Sequence, residues 1–258
     1  METSMLMDVG VMVDKVAVAK MSLVFPFIHW LLLFLAPQRI SVYRKEAQPE
    51  LKNPKATPLF IKYLLQRRCL CNLGTMVVWY LHYELGLTKE VSIGLTILPW
   101  ILITLHSLLN EVTTRMGHNN RVEYVCLAVF VPAAYATLGQ KEYADLTLKI
   151  LYVVTLCHGV LVYVNPSGVD TLYGAEVPED AVLDMRRWYG SDLTAVVLFG
   201  MTLLTYDVDA AKSMGIIYAS YFVLTAGVMR LTDLSRLDIR PLYAWLGYMA
   251  FFGFYLLK

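Results

Sequence analysis

Two histidines, His29 and His158, lie 129 positions apart, each inside a long apolar run. Matched imidazoles at membrane depth are the residues that would hold a haem by its two axial positions. They would serve equally as neutral rings hydrogen-bonded to carbonyls or lipid headgroups. A second group, His82 and Glu84 with His106 and Glu111, offers imidazoles and carboxylates for a proton path or a carboxylate–histidine centre. His106 and Glu111 are five apart, off the i, i+4 spacing that shares a helix face. A third group is cationic. Arg67-Arg68 and Arg186-Arg187 are dibasic steps ending the two longest polar connections. They suit anionic lipid headgroups, cardiolipin if the membrane is mitochondrial, or ordinary positive-inside anchoring. Asp192 follows closely enough to pair with Arg186 or Arg187. HExxH, GxSxG, Walker and GxGxxG patterns are missing, and the HNN at 118–120 has no second His-rich box. No catalytic residue or metal ligand is therefore assigned, and the chain is not expected to be an enzyme.

The elements that must position these groups are repeated. Pro37, Pro49 and Glu50 return as Pro166, Pro178 and Glu179, at the same offset as the histidines. Arg67, Leu73 and Val77 then fall on Arg187, Leu193 and Val197, 120 apart, and Arg121 and Tyr124 on Arg240 and Tyr243, 119 apart. The drop in offset places about nine extra residues in the first copy, between Glu50 and Arg67. The reading is a lead-in over 1–20 and two membrane units, 21–140 and 141–258. At the 120 offset His82, Glu84, His106 and Glu111 meet Thr202, Leu204, Ala226 and Leu231, so any site they form belongs to one copy. Asn72 matches Asp192.

Aliphatic, aromatic and Cys residues make up 57% of the chain, and the mean hydropathy is +0.53. Soluble domains carry roughly 45–50% apolar residues even with Gly counted. The excess predicts an all-α polytopic membrane protein. Candidate spans are about 21–36, 69–87, 91–109, 122–139, 146–164, 189–206, 211–229 and 241–257, eight in two sets of four. Pro26 and Pro99 should kink their helices unless Pro26 falls in a first turn. A net charge of +1 creates no field for nucleic acid. Cys69, Cys71, Cys126 and Cys157 lie in or beside apolar runs and read as small apolar residues.

Lys and Arg number 15 in the loops after odd-numbered spans and 7 elsewhere, which puts both termini on the outer face. With four spans each, the two units would be parallel, about a pseudo-twofold along the membrane normal. Segment 177–190, VPEDAVLDMRRWYG, reads as the start of a short interfacial helix, with its acids at the positive end of the dipole. A similar helix is expected in the first long loop. Ala219, Ser220, Ala226 and Gly227 form a small-residue cluster that permits close helix approach. The first twenty residues lack the patterns of a transit peptide or a cleaved signal. That points to the mitochondrial inner membrane, with the endoplasmic reticulum or thylakoid as alternatives.

Two short patterns resemble known families. TLYGAEVPEDA at 171–181 is similar to the YG…P…A pattern of a bacterial four-helix membrane family of unknown function. RRCLCNLGTM at 67–76, followed by LHSLLNE at 105–111, resembles the four-helix scaffold of sterol biosynthesis in the endoplasmic reticulum. Both resemblances imply a non-enzymatic scaffold, here in tandem. The expected function is a structural accessory subunit of a larger membrane complex, of respiratory or ATP-synthase type, that binds phospholipid. The alternatives are a small-solute or ion transporter with a site between the repeats, and a redox protein whose haem is held by His29 and His158.

Overall fold

The computed structural model describes residues 14–36, 56–172, 180–234 and 239–258. These form α1 (Lys15–Leu35), α2 (Ala56–Tyr83), α3 (Lys89–Leu109), α4 (Val112–Arg115), α5 (Arg121–Leu138), α6 (Ala144–Val164), α7 (Pro166–Leu172), α8 (Asp180–Thr205), α9 (Ala210–Leu231) and α10 (Ile239–Leu257). There is no strand among the described residues. Pro37, Pro49, Glu50, Pro178 and Glu179, and most of the lead-in, lie outside the described residues.

Local chemistry sets several helix starts. Asp14 caps α1 by accepting from the Val16 N–H at 2.9 Å, and Asp209 caps α9 by accepting from Lys212 at 2.8 Å. Pro26 is deep inside α1 rather than in its first turn. Its missing N–H leaves the Ser22 carbonyl without the usual i+4 donor. Tyr218 of α9 and Tyr248 of α10 donate to that carbonyl at 2.7 and 2.5 Å. The break in the helix is thereby satisfied from neighbouring helices, as a water-free environment requires.

Five helices, α1, α3, α5, α6 and α9, are long and apolar enough to cross a membrane. Large apolar side chains point outward: Met21, Phe25, Leu102, Leu109, Phe251 and Phe254 are each more than half exposed. An apolar exterior of this kind needs hydrocarbon around it, so the chain reads as an integral membrane protein.

The neighbour pattern has a simple rule. α1 packs on α2 as α6 packs on α8; α2 on α3 as α8 on α9; α3 on α5 as α9 on α10. Across the middle α2 crosses α8, α1 meets α9 and α10, and α6 meets α3 and α5. Exchanging α1 with α6, α2 with α8, α3 with α9 and α5 with α10 returns the same set. α6 and α8 approach closely through glycine. A Cβ on Gly190 would meet the Tyr163 nitrogen at 2.6 Å and the Gly159 carbonyl at 2.8 Å. The cluster expected on α9 is used in part: Gly253 lies against Ala219, and Gly227 against the Tyr163 hydroxyl.

Two expectations change. α2 begins eleven residues before Arg67, and α8 begins six before Arg186. Each dibasic step sits inside a long central helix; the separate short helix of the second connection is α7, and residues 37–55 and 173–179, where the rest of the two connections runs, lie outside the described residues. The same helix starts take Lys62, Arg67, Arg68, Arg186 and Arg187 out of the loops on which the charge asymmetry rests.

Candidate functional site

The central helices carry the buried charges. On α2, Arg67 donates through Nη2 to both oxygens of Glu123 on α5, at 2.8 and 2.7 Å. Glu123 is fully buried and also accepts from the Tyr63 hydroxyl at 2.5 Å and from Ser107 at 3.1 Å. The Tyr63 ring covers the guanidinium at 4.4 Å. One residue on, Arg68 donates through Nε to Asp192 of α8 at 2.8 Å, and its guanidinium lies over Trp188 and Trp30 at 5.2 and 5.7 Å. Asn72 holds the Arg68 carbonyl at 2.9 Å. Low-dielectric surroundings make such pairs strong only when the remaining hydrogen bonds are filled, and here most are.

Of the four arginines expected at lipid headgroups, three are buried and Arg187 is partly exposed. Arg67, Arg68 and Arg186 are 3%, 7% and 6% exposed. Arg186 lies over the Phe60 ring at 4.7 Å, and Arg187 pairs with Asp184 one turn back at 3.1 Å. The physical reason is the early helix start, which carries both steps from the helix mouth into the packed crossing. Asp192, expected to pair with Arg186 or Arg187, pairs with Arg68 instead.

His82, Glu84, His106 and Glu111 do not converge. The His82 ring binds the Leu87 carbonyl at 2.8 Å, and Glu84 pairs with Lys20 at 2.7 Å. His106 contacts Asn110 at the far end of α3, which spans about 30 Å. Glu111 has a left-handed backbone, φ 51°, before the single turn of α4. Among the described residues no three His, Cys, Asp or Glu side chains gather as a metal cluster. All four cysteines are free, and Cys69 and Cys71 are buried among apolar neighbours.

Two cavities flank the crossing of α2 and α8. The first, of about 190 Å³, lies between α1, α2, α8, α9 and α10, and His29 lines it. The second, of about 310 Å³, lies between α2, α5, α6 and α8, and His158 lines it. The two imidazoles open into different cavities, so they do not present the facing pair that a bis-histidine haem needs. His118, in the turn before α5, caps the second cavity with its ring 4.9 Å from Phe60. Burial first, and then the Arg186 charge, lower its pKa to about 4.

No family model, curated protein or solved structure matches this chain. The short-motif resemblances therefore carry no family assignment, and function rests on the geometry.

Glu123 is the functional-looking residue that sequence reasoning passed over. Its signal was there: it is an acid within the candidate span 122–139, an expensive position that calls for a partner. The partner is 56 residues away on another helix.

Proposed function

We propose that the chain is a non-catalytic accessory subunit of a larger membrane assembly, of respiratory or ATP-synthase type, in the mitochondrial inner membrane. It acts by helix packing and lipid binding, with cardiolipin and neighbouring subunits as partners. One observation carries this reading. The deep charges neutralise one another as clamps between helices, Arg67 with Glu123 and Arg68 with Asp192, instead of facing a reacting group. The apolar outer faces are then the surfaces that meet lipid and partner helices.

The architecture that goes with it is eight spans in two parallel four-helix units. The matched neighbour pattern and the 129, 120 and 119 offsets support it. α2 and α8 would be spans whose low hydropathy comes from charges turned to the interior, where no lipid meets them. α10 would be one whose Arg240 and Pro241 fall in the first turn, ahead of an apolar and aromatic run. The test is native-gel migration of the tagged protein from mildly solubilised mitochondria, with mass spectrometry of co-migrating chains. A high-mass band with fixed partners is expected. Migration as one 29.3 kDa chain in its micelle would overturn the assembly reading.

A second reading, a carrier with a site between the units, is favoured by the cavities beside the central crossing. Cysteines introduced at His29 and His158 decide it. A membrane-impermeant thiol reagent reaches them from water in a carrier and fails to do so in a scaffold.

A further inference from the structure

The outer walls of the two cavities are built from matching positions. His29 and Pro26 of α1 correspond to His158 and Thr155 of α6 at the 129 offset. Pro241, Trp245 and Met249 of α10 correspond to Val122, Cys126 and Phe130 of α5 at the 119 offset. The apolar members have changed between copies, and the imidazole has not.

The first cavity describes a ligand. Its size, about 190 Å³, exceeds the roughly 150 Å³ apolar cavity that is known to take benzene, so one substituted ring fits. Trp30, Trp188 and Trp245, three of the chain's five tryptophans, line it. Indole faces are electron-rich and favour an electron-poor planar ring over a saturated one. His29 packs against Trp245 at 4.9 Å and Trp30 at 5.4 Å, and its ring nitrogens have no hydrogen-bond partner among the described residues. A neutral imidazole there keeps one N–H for an acceptor, and leaving it unmet at membrane depth is costly. The second cavity is walled on α5 and α6 by Val125, Val154 and Leu161, each about half exposed, so that wall is shared with the lipid-facing surface. A hydrocarbon tail can leave across that wall into lipid.

We propose that both cavities bind the ring head of a lipid-phase quinone, with His29 donating a hydrogen bond to a ring carbonyl in the first. The proposal concerns binding only and does not depend on the assembly reading, whose failure would show on the native gel alone.

The experiment uses the full chain in mild detergent, titrated with a short-chain benzoquinone. Tryptophan fluorescence and equilibrium dialysis are the readouts. Saturable quenching with about two sites per chain is expected. His29→Phe should weaken the first site about tenfold, the scale of one lost hydrogen bond. His29→Gln, which keeps an N–H, should stay within about threefold. Val154→Phe, on the half-exposed wall of the second cavity, should reduce the count to about one site and leaves the core untouched, so it decides the matter even if His29→Phe does not fold. Quenching that rises linearly without a plateau, or a plateau unmoved by His29→Phe and Val154→Phe, overturns the proposal. Saturable binding of a fluorescent sterol with none of the quinone overturns the ligand class.

Discussion

Arg68 and Asp192 meet at 2.8 Å where α2 crosses α8. At the 120 offset the position matching Asp192 is Asn72, one turn beyond Arg68 on its own helix, and the position matching Arg68 is Trp188, which the guanidinium faces. The crossing is thus made by corresponding stretches of α2 and α8, with the cation on one and the anion on the other. Identical charges at such a crossing would repel. Changing Asp192→Asn leaves a buried guanidinium with a neutral neighbour. The expected cost is about 3–5 kcal/mol, seen as loss of the folded, monodisperse peak in mild detergent. The paired change Arg68→Met with Asp192→Leu should recover most of it.

The Arg67–Glu123 pair makes a separate prediction, because it ties α2 to α5 rather than to α8. Glu123→Gln removes the anion from Arg67 while keeping an acceptor for Tyr63. Thermal stability should fall by a margin similar to that for Asp192→Asn. The two effects should add within about 0.5 kcal/mol if the clamps are independent, and strong coupling would show that they act as one network through adjacent residues 67 and 68.

The Ser22 carbonyl accepts from two tyrosines because Pro26 cannot supply its N–H. Either Tyr218→Phe or Tyr248→Phe leaves one donor, so each alone should cost less than about 1 kcal/mol. The double variant leaves the carbonyl bare and should cost clearly more than the sum. Restoring an N–H with Pro26→Ala should rescue it. A double-mutant cycle of melting temperatures checks all three statements.

His118 gives the protein an acid-sensitive term. In the folded chain its pKa is lowered to about 4, against 6.5 for an ordinary imidazole. The unfolded chain therefore takes up a proton, as pH falls from about 6.5 to 4, that the folded chain refuses. Stability from this group is complete above 6.5 and declines through that window. His118→Asn should flatten the pH dependence of the melting temperature between 7 and 4.5. A wild-type profile no steeper than the variant's would remove His118 as the cause.

Residue order alone determined the helical class, the membrane setting and most helix positions. Run length, apolar content and proline placement act locally, and an apolar surface reports its solvent without reference to partners. The internal offset likewise lies in the chain itself. What tertiary structure decided was the fate of the polar groups. Arg67 and Arg68 looked like residues at a helix mouth because the polar stretch before them reads as a loop. Continuing α2 back to Ala56 buries both and gives each a carboxylate, 56 and 124 positions away. Asp192 chose Arg68 over its own helix's arginines because α2 crosses α8 there, a fact of packing that no local spacing encodes. His29 and His158 were legible as a pair, but that they open into separate cavities depends on two central helices passing between them.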